Sequence, residues 1–177
     1  MPYNLGIRKY YIIFLAGLIL SVLIIVAGAQ EGTDMRISSS EFEHNSSIPV
    51  KFTCQGKNIN PPLSIEGVPK EAISLALIVD DPDAPGGDFV HWVVYDIPVL
   101  SHIEEHSIFG KQGINSLGRL GYVSPCPPTG VHRYFFKIYA LDKILNLKEG
   151  ATKENLETAM AGHILEKAEL IGLYQKK

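Results

Sequence analysis

Residues Ile73-Ser74-Leu75-Ala76-Leu77-Ile78-Val79 form a nearly continuous apolar run that ends in Asp80-Asp81-Pro82-Asp83-Ala84-Pro85. Such a run, without alternation, predicts a central strand buried on both faces. The strand must then stop, because Pro82 and Pro85 fix their own φ angles and restrict Asp81 and Ala84 before them. Asp81 is thereby held at the end of a buried strand with little conformational freedom. From the residues alone, Asp81 and Asp83 suit two uses: a carboxylate held in one direction for a ligand, or a cap on the turn.

Further strand-like runs follow the same pattern, at Ile48–Thr53, Val90–Ile97 and Tyr134–Leu141. Gly56, Asn58, Asn60 and Pro61-Pro62 punctuate Cys54–Pro62 as a loop. Pro98–Gly121 has few apolar residues and several glycines, which predicts a long surface loop of the kind that carries function. The period changes at Lys153–Lys167, where Leu156, Met160, His163, Ile164 and Lys167 recur at three- and four-residue steps. That spacing predicts one amphipathic helix, with Thr152 as its N-cap and His163 a packing residue on it. Ala168–Tyr174 then reads as a closing strand. The expected fold class is mainly β, two packed sheets with one C-terminal helix.

The N-terminus has a different character. Arg8 and Lys9 precede Tyr10–Ala29, a run without charge, and about twenty apolar residues suffice to span a bilayer as a helix. The run is longer than the usual apolar region of a cleaved signal, although Ala27-Gly28-Ala29 before Gln30 is an acceptable cleavage site. The predicted organisation is residues 1–30 as membrane anchor or signal peptide, and 31–177 as the functional unit. The basic flank stays inside, which places that unit outside the cytoplasm. It carries all nineteen acidic residues and all but two of the sixteen basic ones. An acidic unit without a basic run excludes nucleic acid as a partner.

The second informative stretch is Pro125-Cys126-Pro127-Pro128-Thr129-Gly130-Val131-His132-Arg133-Tyr134. Its prolines stiffen a loop in which Ser124, Cys126, Thr129 and Gly130 keep amide donors, a reasonable anion cradle. Strand alternation puts His132 and Tyr134 on one face and Arg133 on the other, with Asp83 a candidate salt-bridge partner for Arg133. Alternation likewise predicts His91, Val93 and Tyr95 on one face of the Val90–Ile97 strand, opposite Trp92 and Val94. His91, His132 and Tyr134 can all donate to an anion of modest size. A carboxylate beside a phosphate dianion is repulsive, which leaves Asp81 three roles. It orients a histidine, accepts from a monoprotonated phosphate, or meets the ammonium of an ethanolamine head group. Asp81, His91 and His132 also have the composition of a two-histidine, one-carboxylate metal site, the basis of an alternative reading as a metal-assisted hydrolase. No Gly-x-Ser-x-Gly elbow is present. Cys54 and Cys126 are compatible with a disulfide or with two buried thiols.

These motifs carry a resemblance. Phe52-Thr53-Cys54-Gln55-Gly56 with Asn60-Pro61-Pro62-Leu63-Ser64, Asp81–Pro85 with His91–Pro98, Gly121–Tyr134, and Ala159–Leu165 resemble four blocks of the phosphatidylethanolamine-binding protein family, in its prokaryotic Raf-kinase-inhibitor-like branch. The resemblance implies a sandwich of two antiparallel sheets and a small anion pocket at one end. Asp81, His91, His132 and Tyr134 would line it, with Pro85, Ser124 and Cys126 at the rim. It further implies a binding domain without catalytic residues, metal or cofactor, whose ligand is a phosphate-type anion or phospholipid head group and whose role is inhibitory or regulatory. A serine protease partner, inhibited through a loop within Pro98–Gly121, is the other alternative. The chain departs from the family in Val123-Ser124, where relatives usually show Gly-Gly, and in Ile65, where a tryptophan is common.

Overall fold

The computed structural model describes residues 34–177. In chain order the strands are β1 (Arg36–Ser38), β2 (Ser46–Ser47), β3 (Leu63–Glu66), β4 (Ser74–Asp81), β5 (Phe89–Ile97), β6 (His102–Ile103), β7 (Lys111–Gln112), β8 (His132–Leu141) and β9 (Ile164–Tyr174), with helix α1 (Lys153–Met160) between the last two. They form a three-stranded sheet, β1-β3-β6, and a six-stranded sheet, β2-β9-β8-β4-β5-β7. Pairing is antiparallel throughout, except that the short β2 runs parallel to β9.

β4 is buried at every position, which is why its sequence shows no alternation. Its two faces serve two cores. Leu75, Leu77 and Val79 join Trp92, Val94, Phe136 and Ile138 and, from the smaller sheet, Ile37, Leu63, Ile65 and Ile103. Ala76 and Ile78 look the other way, with Val93, Tyr95 and Leu141, and are covered by Leu156 and Met160 of α1. Ile65, where the resemblance leads one to expect a tryptophan, is buried in the first core. Asp80, on the helix-facing side, accepts from Lys137 Nζ at 2.8 Å and Lys153 Nζ at 2.6 Å, which ties the start of α1 to the sheet. Thr152 caps that helix in a reciprocal capping box with Asn155.

Three sequence expectations are corrected. The helix ends at Met160 rather than Lys167, because Ala161 leaves helical geometry and Gly162 takes φ +78 to turn the chain into β9. Only a residue without Cβ adopts that angle at no cost. His163 therefore sits in the turn, its Nδ1 2.9 Å from Asp142 Oδ1, and the strand begins at Ile164 instead of Ala168. Ile164 is largely exposed, so its spacing from Leu156 and Met160 does not mark a buried face. The Ile48–Thr53 run forms a 3₁₀ turn over Val50–Phe52 rather than a strand. The Pro98–Gly121 segment is not plain loop either: it supplies β6 and β7 and is pinned by Asn115, whose amide bonds Gly121 O and the Leu117 and Arg119 N–H groups.

The N-terminal hydrophobic helix expected over residues 1–30, and the domain boundary drawn there, lie outside the described residues. Among the described residues, no helix is long and apolar enough to cross a membrane. At the start of the described chain, the Met35 amide donates to Glu166 Oε1 at 2.7 Å. Glu166 pairs with Ala140 near the end of β8, whereas His132 opens that strand at its other end.

Candidate functional site

Three strand ends meet at the His132 end of the large sheet. β4 finishes in Asp81, β5 begins at Phe89, and β8 begins at His132. Asp80 pairs with Phe135 and Asp81 with Phe89, so Asp81 lies between the openings of β5 and β8. A cavity of about 300 Å³ opens there, and Asp81, Pro85, His91, Ser124, Cys126, His132 and Tyr134 all line it. All seven residues named from the sequence thus come together in one place. Ala84, Phe89, Leu117, Val123, Pro127 and Pro128 complete the wall.

His91 reaches this cavity by a route that simple alternation does not provide. Along β5 the partner of Val79 is Trp92 and the partner of Asp80 is Val90, so His91 is an extra residue in the strand. Such a bulge re-aims a side chain. Val93 and Tyr95 pack under α1, while His91 stands edge-on to Tyr134 with ring centroids 5.2 Å apart. The expected face shared by His91, Val93 and Tyr95 is therefore broken between His91 and Val93.

Each polar group has a defined setting. His132 Nδ1 lies 2.7 Å from Asp81 Oδ2, with both side chains buried. The other oxygen, Asp81 Oδ1, accepts from the Asp83 amide at 2.9 Å. Asp81 therefore both orients a histidine and caps its turn. The other two roles, an acceptor for a protonated phosphate or a partner for an ammonium, compete with bonds already made. His91 Nδ1 is 2.7 Å from Val123 O. A carbonyl only accepts, so Nδ1 carries the proton and Nε2 is left as an acceptor. Burial holds the His91 pKa below its ordinary value, against the opposing pull of the Val123 carbonyl and Asp81.

Tyr134 is fully buried, and its hydroxyl has no hydrogen-bond partner among the described residues. The Asp81 carboxylate approaches it without meeting full hydrogen-bond geometry. Burial first, then the Asp81 charge and the approach of that carboxylate to the hydroxyl, raise the Tyr134 pKa. The group stays a phenol and a donor.

The rim differs from expectation in one respect. The Ser124 amide is not free, because it donates to Asn58 Oδ1 at 2.9 Å. Nothing in the local sequence announces Asn58, whose contact spans 66 residues. Neither Val123 nor Ser124 adopts a positive φ; the left-handed residue nearby is Gly121 at φ +89. The side chains that replace the family's Gly-Gly are therefore unstrained, and Val123 adds to the cavity wall. Cys54 and Cys126 form a disulfide, Cα–Cα 5.4 Å, that ties the proline-rich rim to the loop before β3. Outside the cavity, Arg133 clasps Asp83 through Nε at 2.9 Å and Nη2 at 2.7 Å. The guanidinium holds the Asp83 pKa down at about 2.

The metal alternative built on Asp81, His91 and His132 finds no donor geometry. Among the described residues, no three His, Cys, Asp or Glu side chains are placed to hold an ion. The ring nitrogens nearest protein groups are already committed to Asp81 and Val123 O.

Comparison with known proteins agrees with this architecture. The chain is 47% identical over 176 residues to a UPF0098 protein of Pyrococcus horikoshii, covering 93% of this chain and 88% of the relative. A UPF0098 protein of Methanothermobacter thermautotrophicus is 51% identical over 150 residues, covering 80% of this chain and 99% of its own. Among solved structures, a phosphatidylethanolamine-binding protein homologue from Chlamydia trachomatis superimposes with a TM-score of 0.80 at 47% identity, covering 81% of this chain and 99% of that one. E. coli YbcL, described as a new member of the mammalian family of that name, gives 0.74 at 27% identity with the same coverage. The family profile described as "Phosphatidylethanolamine-binding protein" matches residues 38–175. By sequence and by fold, the chain belongs to the phosphatidylethanolamine-binding protein family.

Proposed function

We propose that this protein is a non-catalytic binding domain, presented outside the cytoplasm by residues 1–30, whose cavity takes a phosphate-bearing small ligand or a phospholipid head group. The observation that carries this reading is the fully buried Tyr134 hydroxyl, a donor without an acceptor among the described residues, beside two histidines whose Nδ1 atoms face protein groups. A buried polar group without a partner is costly, and an anionic oxygen in the cavity relieves that cost.

The donor and acceptor pattern narrows the ligand's protonation state. Tyr134 donates, His91 Nε2 accepts, and His132 Nε2 is the remaining ring nitrogen available to the cavity. Lys and Arg are not among the lining residues. A phosphate monoanion fits this set, since one oxygen accepts from Tyr134 while a P–OH donates to an Nε2 lone pair; inorganic phosphate brings two such hydroxyls, a monoester one and a phospholipid diester none. A dianion or a diester leaves the His91 lone pair facing an oxygen, so free phosphate or a monoester is favoured over a lipid head group. Extracytoplasmic presentation rests on Arg8, Lys9 and the Tyr10–Ala29 run.

Calorimetric titration of the full-length protein with phosphate, phosphoethanolamine and a short-chain phospholipid, beside His132→Ala, tests the reading. Saturable heats that vanish in the variant support it. A folded wild type that takes none of the three removes the cavity as the working site.

A further inference from the structure

A second cavity, of about 220 Å³, is lined by Gly121 and Tyr122, the residues just before the Val123-Ser124 wall of the first. Trp92 and Gln112 form part of it, Asn60 and Tyr122 the sides, and His106 and Ile108 the lip. It is separate from the anion pocket, and no residue lines both.

Gln112 gives this cavity a chemical preference. Its Oε1 accepts from Trp92 Nε1 at 2.7 Å, with both residues buried. An indole N–H only donates, so the oxygen must face Trp92 and the amide nitrogen must point elsewhere. That nitrogen is buried and has no acceptor among the described residues. Gln112 is itself a lining residue of the cavity, and the loop beside it is held by its own bonds. Asn60 spends its side chain on Pro61 O, Glu104 O and the Ser107 amide, which holds His106 at φ +52. The indole is braced edge-on by Phe109 and Tyr122, each with its ring centroid 5.5 Å away.

Charge and polarity then narrow the occupant. The outer loop carries Glu104 and Glu105, and the cation beside Glu105, Lys51, is paired to it. Lys and Arg do not line the cavity, so the local field disfavours an anion. Ile108 is 82% exposed at the lip, an apolar contact for anything entering. We propose that this cavity is a second ligand site, which takes a small uncharged group through its carbonyl oxygen, an amide or an ester, received by the Gln112 amide beside the Trp92 ring.

Trp92 is the single tryptophan of the chain, so its indole ¹H–¹⁵N resonance is an unambiguous probe at this site. The full-length protein is titrated with N-methylacetamide, methyl acetate, sodium acetate and phosphate. The expected result is a saturable shift with the neutral amide or ester, the stronger of the two identifying the source chemistry, and at least about tenfold weaker response to acetate, whose charge must be desolvated where no cation lines the cavity. Phosphate leaves the resonance in place. Gln112→Glu keeps an oxygen for Trp92 but removes the donor, and weakens carbonyl binding by about tenfold or more without affecting phosphate heats. If that variant does not fold, Ile108→Asp at the exposed lip serves, with a several-fold loss expected. A shift that never saturates, one that acetate matches, or one that both variants retain in full overturns the proposal. The phosphate heats are read separately, so failure here is distinguishable from failure of the anion pocket.

Discussion

His132 Nδ1 and Asp81 Oδ2 stand 2.7 Å apart although 51 residues separate them in the chain. The contact exists because β4 ends where the neighbouring β8 begins. It sets the His132 tautomer: the proton sits on Nδ1 and Nε2 is turned loose.

Asp81→Asn preserves a side-chain oxygen for the Asp83 amide but turns an NH2, a donor, toward His132 Nδ1, so the ring must change tautomer or lose the contact. Phosphate affinity is expected to fall about tenfold or more, measured by calorimetry, with the fold intact. Asp81→Ala is expected to weaken phosphate and phosphoethanolamine equally, since both carboxylate oxygens are already engaged. A selective loss of phosphoethanolamine would instead put Asp81 against the ligand's ammonium.

Tyr134→Phe separates binding from stability. Among the described residues the hydroxyl makes no hydrogen bond, so its removal takes away an unsatisfied buried donor at no loss of a native bond. Stability is expected to hold or to rise by up to about 1 kcal/mol, while phosphate affinity falls about tenfold. Urea unfolding beside calorimetry reads both. A variant that is destabilised and binds normally would show that the hydroxyl is structural.

The pH response of the fold has a sign fixed by His91. Burial depresses its pKa in the folded state, so charging the ring favours the unfolded chain. Its contribution is complete above the unfolded value of about 6.5 and is lost as the pH falls through the lower folded value. Wild type is expected to lose more stability than His91→Gln between pH 7.5 and pH 5, measured by urea midpoints. Asp83 acts in a lower window: its contribution is complete above the unfolded carboxylate value near 4 and is lost as the pH falls through about 2.

The Cys54–Cys126 bridge closes a sequence separation of 72 residues. Replacing both cysteines by alanine is expected to cost about 2–4 kcal/mol of stability, seen as a lowered melting temperature. Because Cys126 also lines the cavity, phosphate affinity should fall as well. Reduction of the wild type should reproduce both effects, and a reductant-insensitive melt would contradict a stabilising bridge.

What was legible in the sequence follows from local rules. β4 announced itself because burial on both faces forces an unbroken apolar run. Asp81, His132 and Tyr134 were legible because proline-stiffened loops and strand phase are properties of near neighbours, whereas Pro85 was placed at the rim only by the family resemblance. The route by which His91 enters the cavity was not, since the bulge depends on how β5 registers against β4. The helix was overextended by a spacing coincidence that Ala161-Gly162 interrupts. Asn58 was read only as loop punctuation. Its role lies in a bond to Ser124 across the fold, and no window of local sequence contains both residues.

Met35 and His132 sit toward opposite ends of the large sheet, and this orients the whole domain. The eight residue steps from His132 to Ala140, at about 3.3 Å each, make a distance on the order of 25 Å. Met35, held by its bond to Glu166, is therefore remote from the cavity that Asp81, His91 and His132 line. A spectroscopic label placed on Met35 would sit at the end of the domain that a ligand in that cavity does not touch, and so serves as an internal reference for any titration.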